Sequence, residues 1–119
     1  MSALQATFAQ LTAQVQNELN AALSGPMGPM VRSYLPQVWV FETEQGAMTL
    51  AVDVAGRATS FPGGMKERDV TVQMRQDPLL RAFARGSAGP PPPSEAPRVT
   101  YHSQKGNVAY DLLKGQLGL

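Results

Sequence analysis

The 119 residues predict an α+β domain, a largely antiparallel sheet with helices packed on one of its faces. Residues 2–23 repeat apolar side chains in steps of three and four. Residues 37–61 alternate apolar and polar side chains between tight-turn residues. Residues 69–86 run from an alternating strand straight into a helix. In chain order the elements read α-β-β-β-β-α-β-α, and one domain, 1–119, accommodates them.

The opening helix is read over Ser2–Leu23, capped by Ser2, with Leu4, Phe8, Leu11, Val15, Leu19 and Leu23 along one stripe. Its outer face carries Gln5, Gln10, Gln14, Gln16, Asn17 and Asn20 with a single charge, Glu18. A face so low in charge repels a second copy little, so pairing into a homodimer stands beside the reading of a core-facing helix. A helix lying on a membrane surface would need Lys or Arg on that polar face, which has neither.

Ser24–Pro36 breaks the helix with two Gly-Pro-Met triplets and reads as an ordered loop. Gln37–Thr43 is rich in β-formers. Glu44-Gln45-Gly46 turns it, and Ala47–Val54 returns with Met48, Leu50, Val52 and Val54 on one side. Ala55-Gly56-Arg57 turns again into Ala58–Phe61, which Pro62-Gly63-Gly64 stops, completing an antiparallel meander.

After Asp69, Val70, Val72 and Met74 share one side of a strand. Asp77 is read as the following cap and Pro78 as a first-turn residue; Leu79, Leu80 and Phe83 form the buried stripe, with Arg81 and Arg85 facing water and Gly86 as the stop. Ser87–Pro97, SAGPPPPSEAP, cannot join helix or sheet and reads as a polyproline II loop over the surface. Arg98–Ser103 is the final strand, with Val99 and Tyr101 on one face. Asn107 is read as the cap of a last helix, Val108–Lys114, that buries Leu112 or Leu113.

Composition narrows function by exclusion. A chain of this length buries about 65–70 % of its unfolded surface and needs no staple. Without cysteine it has no thiolate metal site and no redox motif. The net charge is +1; Arg57, Lys66, Arg68, Arg75, Arg81 and Arg85 make one mildly basic stretch, read as solvated surface and not a nucleic-acid site. No apolar run approaches the roughly 20 residues of a membrane span, and MSALQATFAQ has no signal-peptide pattern; a cytoplasmic protein without stable membrane insertion is expected.

The search for chemistry is equally spare. His102 is the sole histidine; Ser103 beside it would point to the opposite face of a strand, and no GxSxG occurs. No group of residues has metal-ligand spacing, and the glycines at 63–64 and 86–89 match no phosphate-binding loop. Trp39 and Phe41 share a strand face, but neither that strand nor its partner carries Arg or Lys, so they read as core and not as a nucleic-acid stacking platform. Neither catalytic residues nor a cofactor are expected.

Three segments carry a resemblance: VWVFETEQGAMTLAVDVAG at 38–56, DVTVQMRQDPLLRAFARG at 69–86 and RVTYHSQKGNVAYDLLKG at 98–115. Their order and spacing resemble the sterol carrier protein type 2 family of small lipid-transfer domains. The resemblance implies a five-stranded mixed sheet, with helices enclosing an apolar tunnel that holds a fatty acyl, sterol-like or other lipid without catalysis. Where that family usually places a phenylalanine-bearing closing segment, this chain has the proline stretch Gly89–Pro97. With the opening helix laid on the sheet, the lining expected is Phe8, Leu11, Val15, Trp39, Phe41, Leu79, Phe83, Tyr101, Tyr110 and Leu113. Met27, Met30, Met48, Met65 and Met74 would supply a deformable wall. The alternative is a non-catalytic interaction module, self-pairing through the Gln/Asn face or docking through the proline loop.

Overall fold

Register explains how this chain builds one apolar sheet face. The computed structural model describes residues 2–89 and 91–119, with Ser87 described by its backbone alone. Strands β1 (Gln37–Thr43), β2 (Gly46–Val52) and β3 (Ala58–Pro62) form the expected meander, pairing Phe41 with Met48 and Leu50 with Ser60. Strand β4 (Val70–Gln73) then lies parallel to β1, with Phe41 opposite Val72. Strand β5 (Arg98–Tyr101) closes the far edge antiparallel to β4. The order β3-β2-β1-β4-β5 is a mixed five-stranded sheet, antiparallel except at the β1–β4 seam.

That register turns Trp39, Phe41, Met48, Leu50, Val70 and Val72 to one side, where all are buried. On the other side Val40, Thr49 and Thr71 align across the sheet and are buried too. The β3–β4 connection covers them: Thr49 Oγ1 donates to Gly63 O at 2.8 Å, and Arg68 Nη1 donates to Glu42 Oε2 at 3.1 Å.

Helix α1 (Ala3–Ser24) begins with a reciprocal cap, Ser2 Oγ accepting from Gln5 N–H while Gln5 Oε1 accepts from Ser2 N–H. Only Leu4, Phe8 and Leu11, in its first half, are fully buried. Further along, Gln16 spans to the sheet edge, its amide donating to Gly56 O at 2.8 Å while its Oε1 accepts from Ala58 N–H at 2.7 Å. Gly56 holds φ +85°, a backbone conformation that favours glycine, and a Cβ there would also displace the tip of Leu23.

The loop expected over 24–36 contains a short helix, α2 (Gly28–Arg32). Pro29 presets the first turn, and Gly28 packs against the Leu23 carbonyl, an approach that only glycine permits. Helix α3 (Gln76–Arg85) starts one residue before the cap read from sequence: Asp77 lies inside its first turn. The capping carboxylate comes from Glu44 in the β1–β2 turn, which accepts the Gln76 N–H at 2.5 Å. At the other end Arg85 is not turned to water as expected; its Nη2 donates to Gly118 O at 3.0 Å. Arg81 does face water and pairs with Glu95.

That pair fixes the proline stretch to α3. Pro92 and Ala96 hold polyproline II dihedrals, but short 3₁₀ turns at Gly86–Ala88 and Pro93–Glu95 interrupt the continuous run read from sequence. Pro90, within that reading, lies outside the described residues.

The last strand ends at Tyr101, two residues early, and Ser103, not Asn107, caps α4 (Gln104–Leu113). Ser103 Oγ accepts from Gly106 N–H at 3.0 Å and donates to Asp69 Oδ1 at 2.6 Å. Asp69, only 8 % exposed, also accepts from Val38 N–H at 2.9 Å and faces Lys105 Nζ at 3.3 Å. One carboxylate therefore ties β1, the start of β4 and the start of α4. A Cβ on Gly106 would sit 2.6 Å from Asp69 O, so helix and strand meet this closely only over glycine.

Among the described residues no helix is long and apolar enough to cross a membrane. No group of three or more His, Cys, Asp or Glu among them could hold a metal ion.

Asp69→Ala strands a buried N–H, a hydroxyl and an ammonium together and is expected to cost about 2–4 kcal/mol, against about 1 kcal/mol for Ser103→Ala. Urea unfolding of the two single variants and the double should show losses well short of additive.

Glu42 offers a pH signature. Hydrogen bonds from Gln73, then Arg68, hold its carboxyl below the ordinary glutamate value. A depressed carboxylate contributes stability above the unfolded pKa, which disappears as pH falls through the folded one. Gln73→Ala should raise the Glu42 midpoint toward the usual value in a side-chain carbon NMR titration; an unmoved midpoint would remove Gln73 as the main cause.

Candidate functional site

Between α1, α4 and the sheet the core stops being solid. Helix α1 lies over β2 and β3, α4 lies over β1, β4 and β5, and the side chains between them do not meet. An apolar cavity of about 250 Å³ results. Its floor is Trp39, Leu50 and Val52, and one wall is Val15, Leu19 and Ala22 of α1. Ala109, Leu112 and Leu113 of α4 form the opposite wall with Leu117 beyond them, and Val31, Tyr34 and Leu35 close the end beneath α2. Ala22 of α1 and Ala109 of α4 are the smallest side chains in this lining and fill the least of the space between the two helices.

Of the ten lining residues read from sequence, the structure brings Val15, Trp39 and Leu113 to this cavity. The other seven lie elsewhere. Phe8, Phe41 and Phe83 stack on one another edge to face, with centroids 5.1, 5.4 and 5.9 Å apart, and plug the interior at the other end of α1. Leu11 and Leu79 are buried in the same solid cluster. Tyr110 tilts against Trp39 at 5.4 Å and is 2 % exposed, behind the cavity floor and not in its wall. Tyr101 sits on the edge strand, 39 % exposed, its ring 6.0 Å from Tyr110 and its hydroxyl donating to Asp111 Oδ1 at 3.1 Å. Of the methionines, Met30 borders the cavity, Met48 is in the core, Met74 packs half-buried against it, and Met27 and Met65 are exposed.

The cavity has almost no reactive chemistry. Gln37, its buried amide, donates to Tyr34 O and Lys105 O at 2.7 and 3.0 Å and accepts from Trp39 Nε1 at 2.9 Å. Burial, helped by Tyr101 and Asp111, pushes the Tyr110 phenol well above the ordinary tyrosine value, and its hydroxyl has no partner among the described residues. Polar side chains gather at the mouth, where Gln14, Glu18 and Gln116 are exposed beside Met30 and Leu112. His102 lies on the opposite sheet face from the cavity, its Nε2 2.9 Å from Thr71 Oγ1.

The lining residues that sequence reading missed are spread over α1, the segment from α2 to Leu35, the sheet at Gln37, Leu50 and Val52, and α4 with Gln116-Leu117. A signal for the α1 half was present in the sequence: its stripe changes from Leu and Phe to Val, Leu and Ala along its length.

No model of a known protein family matches the chain, and no curated protein matches it. Among solved structures, a chain titled "UbiJ-SCP2 Ubiquinone synthesis protein" is similar at 21% sequence identity and a TM-score of 0.49, the match covering 89% of this chain and 96% of that one.

The packed and open ends of α1 should respond differently to truncation. Phe8→Ala is expected to cost about 3–5 kcal/mol, because its neighbours cannot collapse into the space. Leu112→Ala, 64 % exposed at the mouth, should cost less than about 0.5 kcal/mol in the same urea assay.

Proposed function

We propose that this protein binds one hydrophobic small molecule without chemically altering it, and that the binding place is the cavity between α1, α4 and the β1–β2 floor. The apolar void itself carries the reading. Its apolar wall faces water when the cavity has no guest, and a hydrocarbon guest would recover about 25 cal/mol for each Å² of that surface it covers. The likeness of residues 38–56, 69–86 and 98–115 to the sterol carrier protein type 2 family supports the same reading.

Size limits the guest. The volume exceeds the ~150 Å³ that admits benzene and falls short of the roughly 300–1,000 Å³ of drug-sized pockets. An acyl-type chain or a compact aromatic of two or three rings suits that volume better than a whole sterol nucleus. Burying about eight methylenes yields roughly 6 kcal/mol, which corresponds to a Kd on the order of 10–100 µM before ordering costs. A guest held only by dispersion and exclusion from water can be released as readily as it is taken up, which suits carriage.

The test is a titration with N-phenyl-1-naphthylamine, a neutral probe that brightens in apolar surroundings. Saturable enhancement is expected in the micromolar range, accompanied by a change in emission from Trp39 on the cavity floor. Ala109→Phe should weaken binding at least about tenfold by filling the gap, with the far-UV spectrum unchanged. Equal affinity in that variant would show that the probe sits elsewhere and overturn the proposal.

A further inference from the structure

The polar groups around the cavity mouth go further than its apolar wall and specify the head group of the guest. Resting on the binding reading above, we infer that the ligand is an uncharged amphiphile, one ending in a hydroxyl or carbonyl, and that anionic head groups are turned away by Glu18.

Among the described residues Glu18 is the only carboxylate that borders the cavity, and the lining has no Lys, Arg or His; Glu18 stands exposed at the entrance. The bases near the lining in sequence are all directed elsewhere. Arg32 follows Val31 but faces a separate shallow surface with Pro29 and Ser33. Lys105, one turn before Ala109 on α4, is engaged by Pro36 O and by Asp69 at 3.3 Å. Lys114, next to Leu113, is 3.6 Å from Asp111. A carboxylate or phosphate arriving tail-first thus finds no cation to pair with and one negative charge beside it.

Farther in, the described lining holds no cation to compensate for an anion, and the phenol of Tyr34 is uncharged. The Gln37 amide N–H groups are already donated to two backbone carbonyls. A charge drawn past the rim would lose its hydration without a partner. A neutral head meets no such obstacle. Gln14 and Gln116, exposed on opposite sides of the mouth, each offer a donor and an acceptor, which suits a hydroxyl or a carbonyl. A cationic head is tolerated, because Glu18 offsets at the rim what the apolar wall denies.

Three probes sharing a ten-carbon tail separate these cases: 1-decanol, decyltrimethylammonium and decanoate, each below its micellar concentration, displacing N-phenyl-1-naphthylamine at pH 8 in low salt. Decanol is expected to displace most tightly, decyltrimethylammonium within about fivefold of it, and decanoate at least about tenfold more weakly. Glu18→Lys, at an exposed helix position that should leave the fold intact, is expected to improve decanoate at least about fivefold and leave decanol within twofold, a gain that shrinks in added salt. Decanoate equal to decanol in the unaltered protein, or a decanoate-to-decanol ratio unmoved by Glu18→Lys, overturns the inference while the binding reading stands. Failure of N-phenyl-1-naphthylamine and all three amphiphiles to bind overturns both.

Discussion

The mutual stacking of Phe8, Phe41 and Phe83 is the constraint on which the interior depends. It joins α1, β1 and α3 at one place through three edge-to-face contacts of 5.1 to 5.9 Å. Helix α1 runs 22 residues, about 33 Å, so pinning its first half leaves its second half projecting over β2 and β3. Gln16 then holds that projecting half at the sheet edge through Gly56 and Ala58. A rigid helix fastened at two points by such different means cannot settle toward α4. Helix α4 is fastened in turn by Ser103 and Asp69 on the other side of β1. The void is what remains between two helices that are each held in place from elsewhere.

The kind of side chain changes with position along this interior, and the physics changes with it. At the plugged end aromatic rings meet at fixed angles, with Phe8 and Phe41 wholly inaccessible and Phe83 half-buried against them. At the open end the walls are Val, Leu and Ala, whose contacts are non-directional, so a guest of indefinite shape loses little by shifting among them. The ion pairs formed by the basic stretch lie away from the cavity: Glu42 with Arg68 on the opposite sheet face, Arg81 with Glu95 over α3. These exposed pairs contribute little energy, but they occupy side chains that would otherwise give the basic stretch a common field.

Much of the architecture was legible because it is written in short-range patterns. The meander, the strand-to-helix unit around Pro78 and the opening helix follow from periodicity and from glycine at turns. Where the sequence misled, a distant residue had taken over a local task. Asp77 is a good cap by type, yet Glu44 arrives from the β1–β2 turn and caps the helix a residue earlier. Asn107 is a good cap by type, yet Ser103 is already positioned by Asp69. Arg85 is spaced to face water, yet the Gly118 carbonyl comes within reach of it. The lining was harder to read for a related reason. A stripe of apolar residues shows that a helix is laid on the core, but the cavity lies between two helices, with Ala22 on one and Ala109 on the other, and no one-dimensional pattern records how far apart those helices sit.

Fastening and cavity are spatially separate. The aromatic plug, the Gln16 ties and the Asp69 junction all lie outside the lining, so none of them depends on the cavity being occupied. A fold held by its guest would unfold on releasing it; one held around an unfilled space keeps its shape through both states. Small side chains can therefore persist at Ala22 and Ala109 at a tolerable cost in stability, since the strong contacts elsewhere offset what the void forfeits. Among the described residues the same separation keeps most charged side chains away from the cavity lining. The polar side chains with partners to satisfy are engaged in holding the frame, and the surface left to face a guest is hydrocarbon with a rim of amides and one carboxylate.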